Sequence, residues 1–181
     1  MTDNYSLETL IRREDLAAKV AELGAQITED YRDKDTVFMG ILKGCFVFMA
    51  DLVRQVQIEK MEICFMEVSG YGSGTRHTGN TIIRKDLETD LTGKHVLIVE
   101  DIVDSGNTLT YLKKYLANRQ AASVKICTIL DKPSRRETDL QPDYRGFEIP
   151  NEFVVGFGLD YGERFRGLPD LCILHLGGEK D

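Results

Sequence analysis

No stretch of this 181-residue chain approaches the roughly 20 apolar residues that a membrane span needs. Its opening, Met1-Thr2-Asp3-Asn4-Tyr5-Ser6, lacks the basic stretch and apolar run of a signal peptide. The expected compartment is therefore the cytoplasm, with no membrane partner. Cysteine is scarce. Cys45, Cys64, Cys127 and Cys172 form no C-x-x-C pair and all lie in apolar segments, which argues against a zinc site or a disulfide framework. Buried reduced thiols are expected instead. Histidine is scarcer still. His77, His95 and His175 are scattered singly, and nothing sets a base beside a nucleophile, so covalent catalysis has no support. Basic residues do not predominate: 23 Lys and Arg against 30 Asp and Glu give a net charge of −7. That balance argues against a general nucleic-acid binder. It leaves room for a small basic pocket that holds phosphates.

What is present is ordinary for a globular protein of one domain: 42% hydrophobic and 29% charged residues. Leu16, Val20, Leu23, Ile27 and Tyr31 recur at helical spacing and predict a helix over 15–31. Residues 36–42 read as a buried strand, 43–44 as a tight turn, 45–56 as a helix with an apolar face, and 61–69 as a strand. Residues 70–80 are rich in Gly, Ser and Thr and read as a mobile loop; a short strand at 81–85 follows. A strand is expected at 94–100, a helix at 108–118 and a strand at 123–130. A polar loop at 131–143 contains Pro133 and Pro142, and short strands are expected at 147–149, 153–155 and 171–176. Strands alternating with helices imply an α/β fold, a mostly parallel twisted sheet flanked by helices.

One run carries most of the chemistry: Val96-Leu97-Ile98-Val99-Glu100-Asp101-Ile102-Val103-Asp104-Ser105-Gly106-Asn107-Thr108-Leu109. A continuous apolar strand suits the centre of a sheet buried on both faces. Glu100 and Asp101 are expected where that strand ends, at the edge where open α/β sheets place ligands. Ser105-Gly106-Asn107-Thr108 then offers backbone N–H groups at a helix N-terminus, which suits a phosphate. Carboxylates for hydroxyls or a metal, followed by amides for phosphate, describe a site for a phosphorylated sugar. Taken alone, the acids could also be merely solvated or could cap a helix.

This run resembles the phosphoribosyl-diphosphate (PRPP) signature of the type I phosphoribosyltransferases, in the form carried by their hypoxanthine/guanine branch. Further segments resemble the same branch. The Leu42-Lys43-Gly44 loop is similar to the family's pyrophosphate loop, whose Leu–Lys bond can be cis. Ser69-Gly70-Tyr71 lies where the family has a lid with a Ser-Tyr pair; here Gly70 precedes Tyr71, so a hydroxyl contact is lost at that position. Lys132 matches the lysine that donates to the purine 6-oxo group, which favours an oxopurine over adenine. The segments Gly146 to Pro150, Phe153 to Gly156 and Leu159 to Tyr161 resemble the base-binding region. Singly, Lys43, Lys132, Asp160 and Arg166 would read as surface charges, and Phe153 as a core aromatic.

The resemblance implies residue roles. Glu100 and Asp101 hold the ribose, and Asp104, Ser105, Gly106, Asn107 and Thr108 hold the 5-phosphate. Lys43, Gly44 and Arg166 hold pyrophosphate. Ile102, Lys132, Phe153 and Val154 hold the purine. Asp104 acts as general base. Mg2+ is the implied cofactor, with Glu100, Asp101 and Asp160 as its carboxylates. The implied substrates are PRPP with hypoxanthine and/or guanine, giving IMP or GMP and pyrophosphate, in a homodimer or homotetramer. Residues 1–181 would form one phosphoribosyltransferase domain, with a core at about 36–160 and a small hood built from the N- and C-terminal segments. Other readings stay open. They are a xanthine, adenine or pyrimidine enzyme, a non-catalytic regulator on the same fold, and a phosphoacceptor signalling domain, which the phosphate turn disfavours.

Overall fold

The computed structural model describes residues 5–70 and 81–177. Tyr71 of the expected lid lies outside them. Nine strands and three α-helices run in the order β1 (Tyr5–Ile11), α1 (Arg13–Tyr31), β2 (Thr36–Leu42), α2 (Phe46–Val53), β3 (Met61–Gly70), β4 (Thr81–Lys85), β5 (His95–Val103), α3 (Asn107–Ala117), β6 (Ser123–Asp131), β7 (Tyr144–Glu148), β8 (Val154–Val155) and β9 (Leu171–Leu176) among the described residues.

A six-stranded sheet of order β4-β3-β2-β5-β6-β7 forms the centre. All its pairings are parallel except β3 with β4. Strand β5 shows why its apolar run is continuous. Leu97 and Val99 enter the cluster that contains Leu16, Leu23 and Phe48 of α1 and α2, whereas Val96 and Ile98 enter the cluster that contains Leu109 and Leu112 of α3. Both faces of the strand are covered, so neither side-chain set can be polar. The expected stripe on the first helix is the one that is buried: Leu16, Val20, Leu23, Ile27 and Tyr31.

A second, three-stranded sheet has the order β1-β9-β8. It joins the N-terminus to the C-terminal segment, with Tyr5 opposite Leu176 and Thr9 opposite Cys172. Strand β1 was not legible in the sequence. Three of its seven residues, Ser6, Glu8 and Thr9, are polar, and five of the seven are exposed, so no buried apolar run marks it.

Several boundaries differ from expectation. The second helix is shorter, ending at Val53. Strand β7 starts at Tyr144 rather than 147, because Tyr144 pairs with Cys127 of β6. Phe153 stands just before β8, with its carbonyl accepting the Leu174 N–H at 2.8 Å. The polar loop after β6 contains a 3-10 turn at Pro133–Arg135. None of the four thiols is in a disulfide, and Cys45, Cys127 and Cys172 are buried. Cys64 is only partly so, because its strand β3 has only the short β4 beyond it.

Candidate active site

The carboxyl ends of β2, β5 and β6 converge on one edge of the large sheet. The acids do not stand at the end of β5, as expected, but inside it. The strand continues through Glu100 and Asp101 to Val103, because Ile102 and Val103 keep pairing with Leu130 and Asp131 of β6. This carries Asp104 past the sheet edge.

Glu100 and Asp101 are adjacent carboxylates in a desolvated place. Burial, then the neighbouring Asp101 charge, push the Glu100 carboxyl well above the usual carboxylate range. Burial also raises Asp101, against hydrogen bonds from Glu100 and from backbone amides, and against the Arg166 charge. One of these amides is its neighbour's: Ile102 N–H donates to Asp101 Oδ1 at 2.7 Å. Glu100 Oε2 is buried with no protein partner. A pair of acids held this way is short of positive charge and of donors, and both a cation and sugar hydroxyls would supply what is missing.

The turn Lys43-Gly44 follows β2, across a cis Leu42–Lys43 peptide bond. Gly44 approaches the Asp101 carboxylate so closely that a Cβ would overlap Oδ2. Lys43 Nζ donates to Glu163 Oε1 at 3.1 Å. Glu163 Oε2 in turn lies 3.5 Å from Arg166 Nη2, and that same Nη2 lies 2.8 Å from Asp160 Oδ1. The two cations assigned to pyrophosphate thus share one acidic partner. Glu163 was missed in the sequence. It stands in the left-handed region at φ 64°, a backbone feature no local residue signals.

Two cavities meet at Asp104. The smaller, of about 250 Å³, is lined by Ile41, Gly44, Glu100 and the turn Asp104 to Thr108. Gly106 sets that turn with φ 84°, a conformation that disfavours a side chain, and caps α3. The larger, of about 560 Å³, is lined by Lys132, Phe153, Val154, Asp160 and Asp101 among others. Asp104 and Ile102 belong to both linings. Lys132 is 8% exposed, and its Nζ donates to the Glu152 carbonyl at 2.6 Å. Burial lowers its pKa, partly offset by Asp104 and Glu152, with Arg135 adding to the fall. Phe153 is 52% exposed, and Tyr161 meets its ring edge to face at 5.6 Å. Arg135 Nε donates to Asp104 Oδ1 at 3.0 Å, a contact with no sequence signal beyond a basic pair near Lys132.

Most of the expected residues are therefore gathered, while Lys43 and Arg166 line neither cavity and join the site through Glu163 and Asp160. Ser69 lies in β3 and receives a hydrogen bond from Arg84 Nε at 3.1 Å, away from both cavity linings. Among the described residues, no three or more His, Cys, Asp or Glu side chains come together as a metal cage. Glu100, Asp101 and Asp160 thus fit only a metal that takes its remaining oxygens from a substrate, as magnesium commonly does.

The chain and its fold have relatives among known proteins. The family described as Phosphoribosyl transferase domain matches residues 6–162. The hypoxanthine phosphoribosyltransferase of Escherichia coli K12 is 52% identical over 167 residues, covering 91% of this chain and 93% of that one. The hypoxanthine-guanine phosphoribosyltransferase of Bacillus subtilis is 48% identical, covering 92% of each. A crystal structure of a hypoxanthine phosphoribosyltransferase from Staphylococcus aureus superposes with a TM-score of 0.89 at 46% identity, over 93% of this chain and 91% of that chain.

Proposed function

The chain belongs to the phosphoribosyl transferase domain family, and on that premise we propose that it transfers the 5-phosphoribosyl group of PRPP to hypoxanthine and/or guanine. The observation that carries this is the place of Asp104, at the junction of an amide-lined cavity and a cavity lined by Lys132 and Phe153. Such a pair of half-sites suits a phosphorylated sugar on one side and a flat oxopurine on the other.

In this reading the bond from ribose C1 to pyrophosphate breaks, a bond to a purine ring nitrogen forms, and the imidazole-ring proton passes to Asp104. The amides of Ser105 to Thr108 fix the 5-phosphate at the start of α3 and so turn binding energy into orientation. Glu100 and Asp101 accept the ribose hydroxyls, and their field favours positive charge developing on the sugar. Phe153 and Ile102 sandwich the base. The Val154 backbone pairs with the ring edge, and Lys132 donates to the 6-oxo group. Lys43, the Gly44 amide and Arg166 receive the departing pyrophosphate. A bound magnesium ion would supply charge neutralisation on the leaving oxygens; Glu100, Asp101 and Asp160 are the carboxylates offered to it. The unpartnered Glu100 Oε2 supports that assignment.

One phosphoribosyltransferase domain, with the β1-β9-β8 sheet as its hood, is part of the proposal. So is a homodimer or homotetramer, which the family resemblance implies.

Turnover with PRPP and magnesium, supplying hypoxanthine, guanine, xanthine and adenine separately, tests the reading. Nucleotide from hypoxanthine or guanine with little from adenine is expected. Nucleotide from none of the four, with PRPP still bound, would reject catalysis on these bases.

A further inference from the structure

The turn that carries Asp104 is gripped from behind by the segment that follows Lys132. Arg136 Nη1 donates to the Asp104 backbone carbonyl at 3.0 Å. Glu137 N–H donates to the Ser105 carbonyl at 2.9 Å. The Asn107 side-chain amide donates to Glu137 Oε2 at 2.6 Å. In a trans peptide the N–H points opposite to the C=O. Holding two successive carbonyls back therefore turns the amides of Ser105 and Gly106 the other way, and both residues line the smaller cavity. The contact is close: a Cβ on Gly106 would meet Thr138 Oγ1 and the Arg136 side chain.

Arg136 is itself anchored by charge. Its side chain is 7% exposed and pairs with Asp131, whose side chain is 0% exposed. Arg145 Nη1 reaches the second Asp131 oxygen at 3.5 Å. A buried ion pair is weak evidence for stability, because desolvating both charges offsets much of their attraction. A purely structural core would do as well with apolar side chains there. Asp131 also adjoins Lys132, the residue assigned to the purine, so one short segment touches both half-sites.

We propose that Arg136, fixed by Asp131, is a positioning residue that presents the Ser105 and Gly106 amides to the substrate phosphate and sets the backbone of Asp104. The inference rests on the reading of that turn as the phosphate cradle, and its test separates the two.

Removing one partner alone leaves a buried unpaired charge and endangers folding. The informative variant is therefore the double substitution Asp131→Leu with Arg136→Met, checked for wild-type near-ultraviolet circular dichroism, beside Arg136→Lys. Two readouts apply: steady-state kinetics, and equilibrium binding of IMP against inosine, which lacks the phosphate. The wild type should prefer IMP. The folded double variant should raise KM for PRPP about ten- to a hundredfold and lose most of the preference for IMP. Arg136→Lys, which keeps a charge and a donor, should recover part of both. A wild type that binds inosine as well as IMP would refute the cradle itself. A wild type that prefers IMP, with a folded double variant that keeps both the preference and the PRPP KM, would overturn the positioning role alone.

Discussion

Gly44 lies against the carboxylate of Asp101, leaving no room for a Cβ between them. The end of the Lys43 turn and strand β5 are therefore packed as one unit, although Gly44 and Asp101 are 57 positions apart in the chain. Gly44→Ala should displace the turn or the acid and lower kcat/KM for PRPP about a hundredfold, with the melting temperature little changed because the turn is at the sheet edge. Steady-state kinetics beside a thermal melt would check this. Wild-type kinetics in the variant would show that the turn yields freely.

Asp104 touches both cavities and is assigned the proton. Asp104→Asn should cut turnover about 10²- to 10⁴-fold, while KM for PRPP changes little, since the amides assigned to the phosphate stay in place. A KM effect as large as the turnover effect would make Asp104 a binding residue instead.

Glu163 bridges Lys43 and Arg166, and the Lys43 hydrogen bond holds its carboxyl below the usual range. Pyrophosphate would have to displace this carboxylate from both cations. Glu163→Gln should therefore tighten product inhibition by pyrophosphate, by about two- to fivefold given the modest strength of exposed pairs. Inhibition constants for pyrophosphate in the two proteins would decide it, and weaker inhibition in the variant would refute the competition.

Lys132 is lowered by burial and by Arg135, against Asp104 and Glu152. In its proposed role the charged form donates to a 6-oxo group, so raising pH removes the charge that strengthens this hydrogen bond. The affinity for hypoxanthine should decline on the alkaline side at a pH below the ordinary lysine value of about 10.4. In Lys132→Arg, whose charge persists to higher pH, the decline should move upward. An identical alkaline limb in both proteins would exclude Lys132 as its source.

Phe153 presents an open ring face, being 52% exposed. Loss of stacking in Phe153→Ala should cost about 1–3 kcal/mol of purine binding. KM for hypoxanthine would measure it, with the PRPP KM as control.

Much of this was legible in the chain. The period of Leu16, Val20, Leu23 and Ile27, and the unbroken run Val96 to Val99, are local patterns set by which face must be dry, so they could be read without coordinates. The acids and the Gly106 turn were legible because strand, turn and helix follow one another along the chain, whereas Lys132 stood out only through the family resemblance. By itself, then, the sequence determined the α/β alternation, the helix faces and the candidate chemistry of the 96–109 run. Tertiary structure alone decided that β5 runs on past its carboxylates, since that depends on its partner β6. It alone paired the polar β1 with β9 across the whole chain. It set Asp131 and Arg136 beneath the Asp104 turn and Glu163 between two distant cations, because charge pairing and close packing act through space, where separation along the chain carries no information.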